Sequence, residues 1–198
     1  MSEAVSLRAG AASFSPLRLH ERSLVFRIAA VVFGSALLAV SSYIVVPTFP
    51  VPVTMQTFAI TLISALYGWR LGASTIVVWL LLGAIGLPVF ANGAFGLAYI
   101  AGPTGGYLLA FPVAAALMGY LAERGWNGQH PWLAFAAAMI AEVVCLTIGA
   151  LWLSTLIGFE KALLVGVLPF LTGSMLKAGL TAATLAVIVW LIPPKMPA

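Results

Sequence analysis

A single lysine, Lys177, stands near the middle of Phe170–Ile192, an apolar run otherwise long enough to cross a bilayer. A charged side chain at the centre of a spanning helix costs about 2.5–3.5 kcal/mol on insertion scales, so it is met with a partner, a water-filled cavity or an anionic ligand. The last apolar helix must therefore turn this face away from lipid, into a bundle that places something negative or wet beside the ammonium.

The rest of the chain fits that demand. Of 198 residues, 63% are hydrophobic and 7% charged, with a mean hydropathy of +1.13, far from the roughly 25% charged content of soluble domains. Each helical crossing takes about 20 largely apolar residues. The length therefore accommodates about six spans with short connections, in an all-α integral membrane protein whose chemistry lies within or just outside the bilayer. There is no aspartate, and the two histidines, His20 and His130, fall in the amino-terminal segment and beside a loop. A nucleotide-hydrolysing site needs a phosphate loop and metal-binding carboxylates, and an intramembrane protease needs a nucleophile with a base. Neither set is present, so no catalytic residue, metal ligand or cofactor is assigned. The lone Cys145 reads as a small buried hydrophobe.

The expected spans are about 24–46, 55–67, 71–87, 106–122, 132–157 and 166–192. Residues 1–23 form an amino-terminal segment and 193–198 a tail, with a single six-helix domain over 24–192. Four of the nine basic residues, Arg8, Arg18, Arg22 and Arg27, flank the first span. With Arg70, Arg124 and Lys195 they fall on one side of a six-span arrangement, leaving Lys161 on the other. The excess of Lys and Arg on cytoplasmic loops puts both termini in the cytoplasm of a multi-pass protein of the bacterial cytoplasmic membrane. The net charge of +4 is thus a membrane-topology signal and not a nucleic-acid footprint. Trp69, Trp126, Trp132 and Trp190 are expected at the inner interface, and Trp152 and Tyr43 at the outer one.

Two irregular segments lie on the extracytoplasmic side in this arrangement. Thr48–Thr57 follows Pro47 and carries Pro50 and Pro52, three prolines over residues 47–52, and is expected as an extended loop. Gly86–Tyr107 carries Pro88, Asn92, Pro103 and a run of glycines, and such backbone survives at membrane level only when buried in protein or facing water. Both loops stand above Lys177, the outline of a ligand pocket near the extracytoplasmic face. Its candidate polar groups are Lys177, Asn92, Gln56 and Thr54, with the hydroxyl of Thr57. At Gly105, Gly106 and Tyr107, either free backbone N–H groups at a helix start bind an anion or the glycines serve a tight turn and close packing. Asn92, before Gly93, either contacts a ligand or adopts a turn conformation. Glu142 lies at nearly the depth of Lys177. It pairs with that lysine as a helix clamp, or it couples an ion. Small residues Ala30 and Gly34, then Ser35 and Ala39, are spaced four apart on the first span and form a face that admits a partner helix.

Four linked segments together resemble the BioY family, the biotin-binding S-components of energy-coupling-factor (ECF) transporters. They are Pro50-Val-Pro-Val-Thr-Met-Gln-Thr-Phe58, Gly83-Ala-Ile-Gly-Leu-Pro-Val-Phe90, Gly102-Pro-Thr-Gly-Gly-Tyr107 and Pro169-Phe-Leu-Thr-Gly-Ser-Met-Leu-Lys-Ala178. The resemblance covers about residues 30–186. It implies a six-helix subunit that captures biotin from outside and associates with a transmembrane coupling subunit and two ATP-hydrolysing subunits. It implies that the first loop around Gln56 is a lid, that Asn92 contacts the ligand, and that the last helix supplies an acidic residue followed three positions later by Lys177. Ser174 occupies that acidic position here, a departure that removes a charged acceptor. The alternatives from the residues alone are a solitary or ion-coupled transporter and a non-transporting membrane protein held by a Glu142–Lys177 clamp.

Overall fold

The computed structural model describes residues 23–191; the expected terminal segments 1–23 and 193–198 lie outside it except for Ser23. Eight α-helices and a two-stranded ladder follow one another: α1 Leu24–Tyr43, β1 Val45–Val46, β2 Val53–Thr54, α2 Gln56–Tyr67, α3 Trp69–Ala84, α4 Leu97–Ile100, α5 Gly105–Glu123, α6 Pro131–Ile157, α7 Phe159–Gly166 and α8 Leu168–Leu191. Helices α1, α5, α6 and α8 are long and apolar enough to cross a membrane, while α2 and α3 are shorter apolar helices. The chain is a multi-pass membrane protein of mostly helical structure.

Burial ranks the helices. In its most hydropathic stretch α5 is 61% buried and α1 only 22%, so α5 is the axis of the bundle and α1 its flank. Helix α5 packs on α6, α3 and α2, and α8 packs on α6 and α2. The outward faces keep large apolar side chains exposed, among them Val32, Leu81, Val143 and Leu176; in hydrocarbon these lose nothing. The inner faces are built from small residues: Ala110, Ala114, Ala115 and Ala122 on α5 and Ala134, Ala137, Ala138 and Ala141 on α6 are all essentially inaccessible. Lipid tails are as apolar as leucine, so close backbone approach and dispersion contact hold such helices together. Gly119 shows how close: a Cβ there would lie 2.5 Å from the Trp69 Cα.

Helix length explains where space is left. At 1.5 Å per residue α6 spans about 40 Å and α2 only about 18 Å, against a hydrocarbon core of about 30 Å. Helix α2 therefore starts well below the end of the bundle, and irregular chain fills the level above it. The Pro-rich segment is extended as expected, but as an antiparallel hairpin pairing Val45 with Thr54 and Val46 with Val53. The segment after α3 is a compact plug. Tyr43 Oη donates to the Pro88 carbonyl (2.7 Å) and Ser42 Oγ to that of Phe90 (3.1 Å). The Phe90 ring is fully buried between Trp79, edge-on at 5.2 Å, and Tyr99, stacked at 5.6 Å. Backbone bonds Phe90 N–Ala94 O (3.0 Å) and Gly96 N–Gly83 O (2.8 Å) satisfy groups that a continuing helix would have paired.

Two features go beyond the sequence reading. The connection carrying Glu160 and Lys161 is the short helix α7, begun at Gly158 with φ +86°, a conformation glycine adopts freely. Trp152 is half-buried, its indole N–H donating to the Gly102 carbonyl at 2.9 Å, so it also ties α6 to the plug. Trp132 and Trp190, 86% and 81% exposed, keep the character expected of interfacial anchors.

Gly119→Leu must push α5 off the α2–α3 turn. Overpacking of this kind costs about 1–3 kcal/mol, so a clear drop in the thermal unfolding midpoint of the detergent-solubilised protein is expected, and an unchanged midpoint refutes this contact.

Candidate functional site

The space above α2 is a partly open cavity with about 530 Å³ of non-atom space, the open solvent at its mouth included. The hairpin and the start of α2 supply Val51, Thr54, Gln56 and Thr57; the plug and α5 supply Tyr99, Thr104, Tyr107 and Phe111; α6 supplies Glu142 and Cys145; α8 supplies Phe170 and Lys177. Most of the wall is aromatic or aliphatic, with a few polar groups converging at its base.

Those polar groups are ordered by helix periodicity. On α8, Ser174, Lys177, Ala178, Thr181 and Leu185 are the buried face, spaced i, i+3, i+4, i+7 and i+11. Two rungs join this face to α2: Lys177 Nζ donates to Thr57 Oγ1, and the hydroxyls of Thr61 and Thr181 lie 2.8 Å apart. Both partners advance by four residues between rungs, so α2 and α8 run parallel. From α6, Glu142 reaches the same level. Its Oε1 lies 3.3 Å from Lys177 Nζ, and its Oε2 accepts a 2.8 Å hydrogen bond from Ser174 Oγ. Glu142 is 3% and Lys177 7% exposed.

The ion pair therefore exists, and a void adjoins it. Lys177 is neutralised, as a membrane-buried ammonium demands, yet both members line the cavity. The polar wall is also incompletely satisfied. Thr54 Oγ1 donates to Gln56 Oε1 at 2.9 Å, and among the described residues the buried Gln56 Nε2 has no acceptor and Glu142 Oε1 receives no hydrogen bond. A buried donor left unmet, as Gln56 Nε2 is, costs about 1–3 kcal/mol, whereas Glu142 Oε1 is offset in part by the Lys177 ammonium at 3.3 Å. Burial pushes the Tyr99 phenol up from its ordinary value, with a smaller opposing effect of the Thr104 hydroxyl, so this ring presents a neutral O–H.

The sequence-derived candidates divide cleanly. Lys177, Gln56, Thr54 and Tyr107 line the cavity. Tyr107 also donates to the Gly166 carbonyl at 2.7 Å and stacks on Phe170. Ser174 is one step behind the wall, bonded to Glu142. Asn92 is exposed, with φ +56°; its backbone shows the turn conformation, and its neighbour Ala91 is the residue that lines the cavity. Gly105 and Gly106 are buried, and a Cβ at either would collide with the Ile100 carbonyl or with Trp152. They serve close packing, while Thr104 and Tyr107 on either side face the cavity. On α1, Gly34 and Ser35 are buried, Gly34 packing on Thr75 and Tyr67. Gly34 and Ser35 are thus packed inside the molecule, while Ala30 lines an apolar groove with Phe33 and Leu62. Ala30 and Ala39 are half-buried, and the Ala30 carbonyl accepts a bond from Tyr67 Oη. Missed from sequence were the cavity roles of Glu142 and Phe111. The i, i+3, i+7 spacing of Glu142, Cys145 and Gly149 on α6 was the available signal.

Comparison with known proteins bears on this geometry. The model of the BioY family matches residues 12–194. The chain belongs to the BioY family. A relative from Pyrococcus horikoshii, described as a probable biotin transporter BioY, is 39% identical over 151 residues, covering 76% of this chain and 88% of the relative. The biotin transporter BioY of Rhizobium etli is 40% identical over 157 residues, covering 75% and 83%. A crystal structure of the S-component for biotin from an ECF-type ABC transporter superposes with a TM-score of 0.74 at 26% identity, covering 83% of this chain and 90% of that one. The fold of this BioY-family chain is that of a transporter S-component.

Removing one member of a buried pair strands the other, at about 3–5 kcal/mol. Lys177→Met is therefore expected to lower stability sharply and Lys177→Met/Glu142→Leu to recover most of the loss. Equal stability of the two variants in thermal unfolding contradicts a pair that shares one buried environment.

Proposed function

We propose that this chain is the biotin-specific membrane subunit of an ECF-type vitamin uptake transporter. It crosses the bacterial cytoplasmic membrane six times, with α2 and α3 as the two short crossings and both termini in the cytoplasm. The cavity opens toward the extracytoplasmic side. There it captures biotin for import driven by a transmembrane coupling subunit and two ATP-hydrolysing subunits. The observation that carries this reading is a mostly apolar cavity with a membrane-buried ammonium and two under-satisfied polar groups at its base, in a chain of the BioY family.

The chemistry fits the ligand. Biotin has an apolar bicyclic body, a ureido head with N–H donors beside a carbonyl acceptor, and one carboxylate. Tyr107, Phe111 and Phe170 suit the body; Lys177, Gln56 and Thr54 suit the polar ends. In this reading Ser174 acts by holding Glu142. Asn92 stands next to the wall at Ala91, within reach of a ligand only if the plug turns it inward. The hairpin with Val51 and Thr54 is the cover, and it lies beside α8, where a Cβ at Gly173 would meet Val53 at 3.7 Å. Release follows when the cover leaves the cavity, and energy comes from the partner subunits, since the sequence holds no nucleotide motif.

The Glu142–Lys177 distance also favours a second reading, in which the pair is only a helix clamp. A clamp by itself leaves the orphaned Gln56 Nε2 and the adjoining void without purpose, so the binding reading is preferred.

Titration of the purified protein with biotin tests it directly. Saturable binding is expected, and Lys177→Ala is expected to weaken it about tenfold or more, the equivalent of one lost charge-assisted hydrogen bond. Wild-type affinity in a folded Lys177→Ala protein rejects the site; no binding by the wild type favours the clamp.

A further inference from the structure

We infer that Glu142, on α6, is the residue that reads the ligand's N–H group: its Oε1 accepts from one ureido nitrogen while Gln56 Nε2 donates to the adjacent carbonyl. This rests on the biotin-binding reading and assigns the polar recognition within it.

Two buried atoms of cavity-lining residues lack hydrogen-bond partners among the described residues, and they are complementary. Gln56 Nε2 is a donor without an acceptor; Glu142 Oε1 is an acceptor without a donor. Gln56 is 3% exposed, as is Glu142. Leaving both unmet is costly, and a ligand that meets both at once presents an N–H next to a C=O, which is the pattern of a cyclic urea or secondary amide.

The surroundings of Glu142 hold its carboxylate for that task. Ser174 Oγ binds Oε2 at 2.8 Å and so fixes the plane of the carboxylate. Lys177 lies 3.3 Å from Oε1, and its own hydrogen bond runs to Thr57 Oγ1. The lysine thus supplies charge without consuming the oxygen's hydrogen-bonding capacity. Ser174 acts as a positioning residue, and Glu142 is the group that touches the ligand's N–H. Hydrogen bonds to a charged acceptor are about twice as strong as neutral ones, so this contact sets most of the preference for an N–H over an isosteric oxygen.

A cycle crossing protein and ligand tests the assignment. Biotin and its two cyclic carbamate analogues, in which one or the other ureido N–H is replaced by oxygen, are titrated into the full-length wild type, Glu142→Gln and Ser174→Ala. One carbamate is expected to bind the wild type about tenfold or more weakly than biotin, a difference that narrows to under about threefold in Glu142→Gln. Ser174→Ala keeps the ion pair and so guards against a Glu142 variant that fails to fold. It is expected to narrow the same difference partially. If both variants discriminate biotin from the carbamates as the wild type does, Glu142 does not touch the N–H and the assignment falls, while biotin binding itself stands. If the wild type binds biotin and both carbamates equally, the assignment falls in the same way. If the wild type does not bind biotin, both the assignment and the functional reading fall.

Discussion

An ammonium group in the middle of a bilayer must be paired, and the packing of this protein follows from how Lys177 is paired. The partner, Glu142, comes from a different helix, so α6 and α8 are bound to meet at that depth and in that rotation. Thr57 fixes α2 to the same point, and Thr61 with Thr181 repeats the contact one turn along. Three helices are thus registered by polar contacts that hydrocarbon cannot replace, while the alanine-lined faces around α5 contribute closeness without direction. Any rotation of α8 that hid Ser174 and Lys177 less well would expose a charge to lipid, at a cost comparable with the insertion penalty itself.

The cavity is a consequence of unequal helix lengths on that frame. Twelve residues of α2 cannot reach as far as the 27 of α6, and the gap is closed by backbone that forms no long helix. Such backbone is tolerable because its groups are paired with one another and with α1 through Ser42 and Tyr43. The two closures differ in character. The plug is pinned by the fully buried Phe90 between two aromatic rings, whereas the hairpin is a ladder of two residues per strand with Phe49 92% exposed at its tip. A two-rung ladder has few backbone bonds to lose on opening, and Val51, 3% exposed, is the side chain that anchors it.

Much of this was legible in the residues. Helix termini followed prolines and glycines to within a few positions, because those residues act locally, through φ and a missing N–H. Lys177, Gln56, Thr54 and Tyr107 were readable as cavity residues because each is a polar or amphipathic group where lipid forbids one. What escaped was whatever depends on the third dimension. Gly105, Gly106, Gly34 and Ser35 look alike on paper whether a small side chain makes room for ligand, for a partner or for the next helix; only the position of Trp152, Thr75 and Tyr67 decides. Asn92 before Gly93 carries the same ambiguity, and its positive φ shows a turn residue. Ser174 seemed a lost acceptor, since the oxygen that compensates for it sits 32 positions away on another helix.

That compensation also bears on how a ligand with both a neutral and a charged end enters. With Glu142 at 3.3 Å, the charge of Lys177 is already balanced. A carboxylate brought to the base of the cavity would put two anions beside one cation, away from bulk water, and like charges sharing a site raise each other's energy. An uncharged group with one donor and one acceptor meets the two unfilled atoms there, Glu142 Oε1 and Gln56 Nε2, and disturbs no balance. The charged end is then left toward the open side of the cavity, where hydration survives. A lone lysine in the same place would attract the opposite orientation, so the single substitution that most alters the pocket is the one that removes the carboxylate and leaves the ammonium.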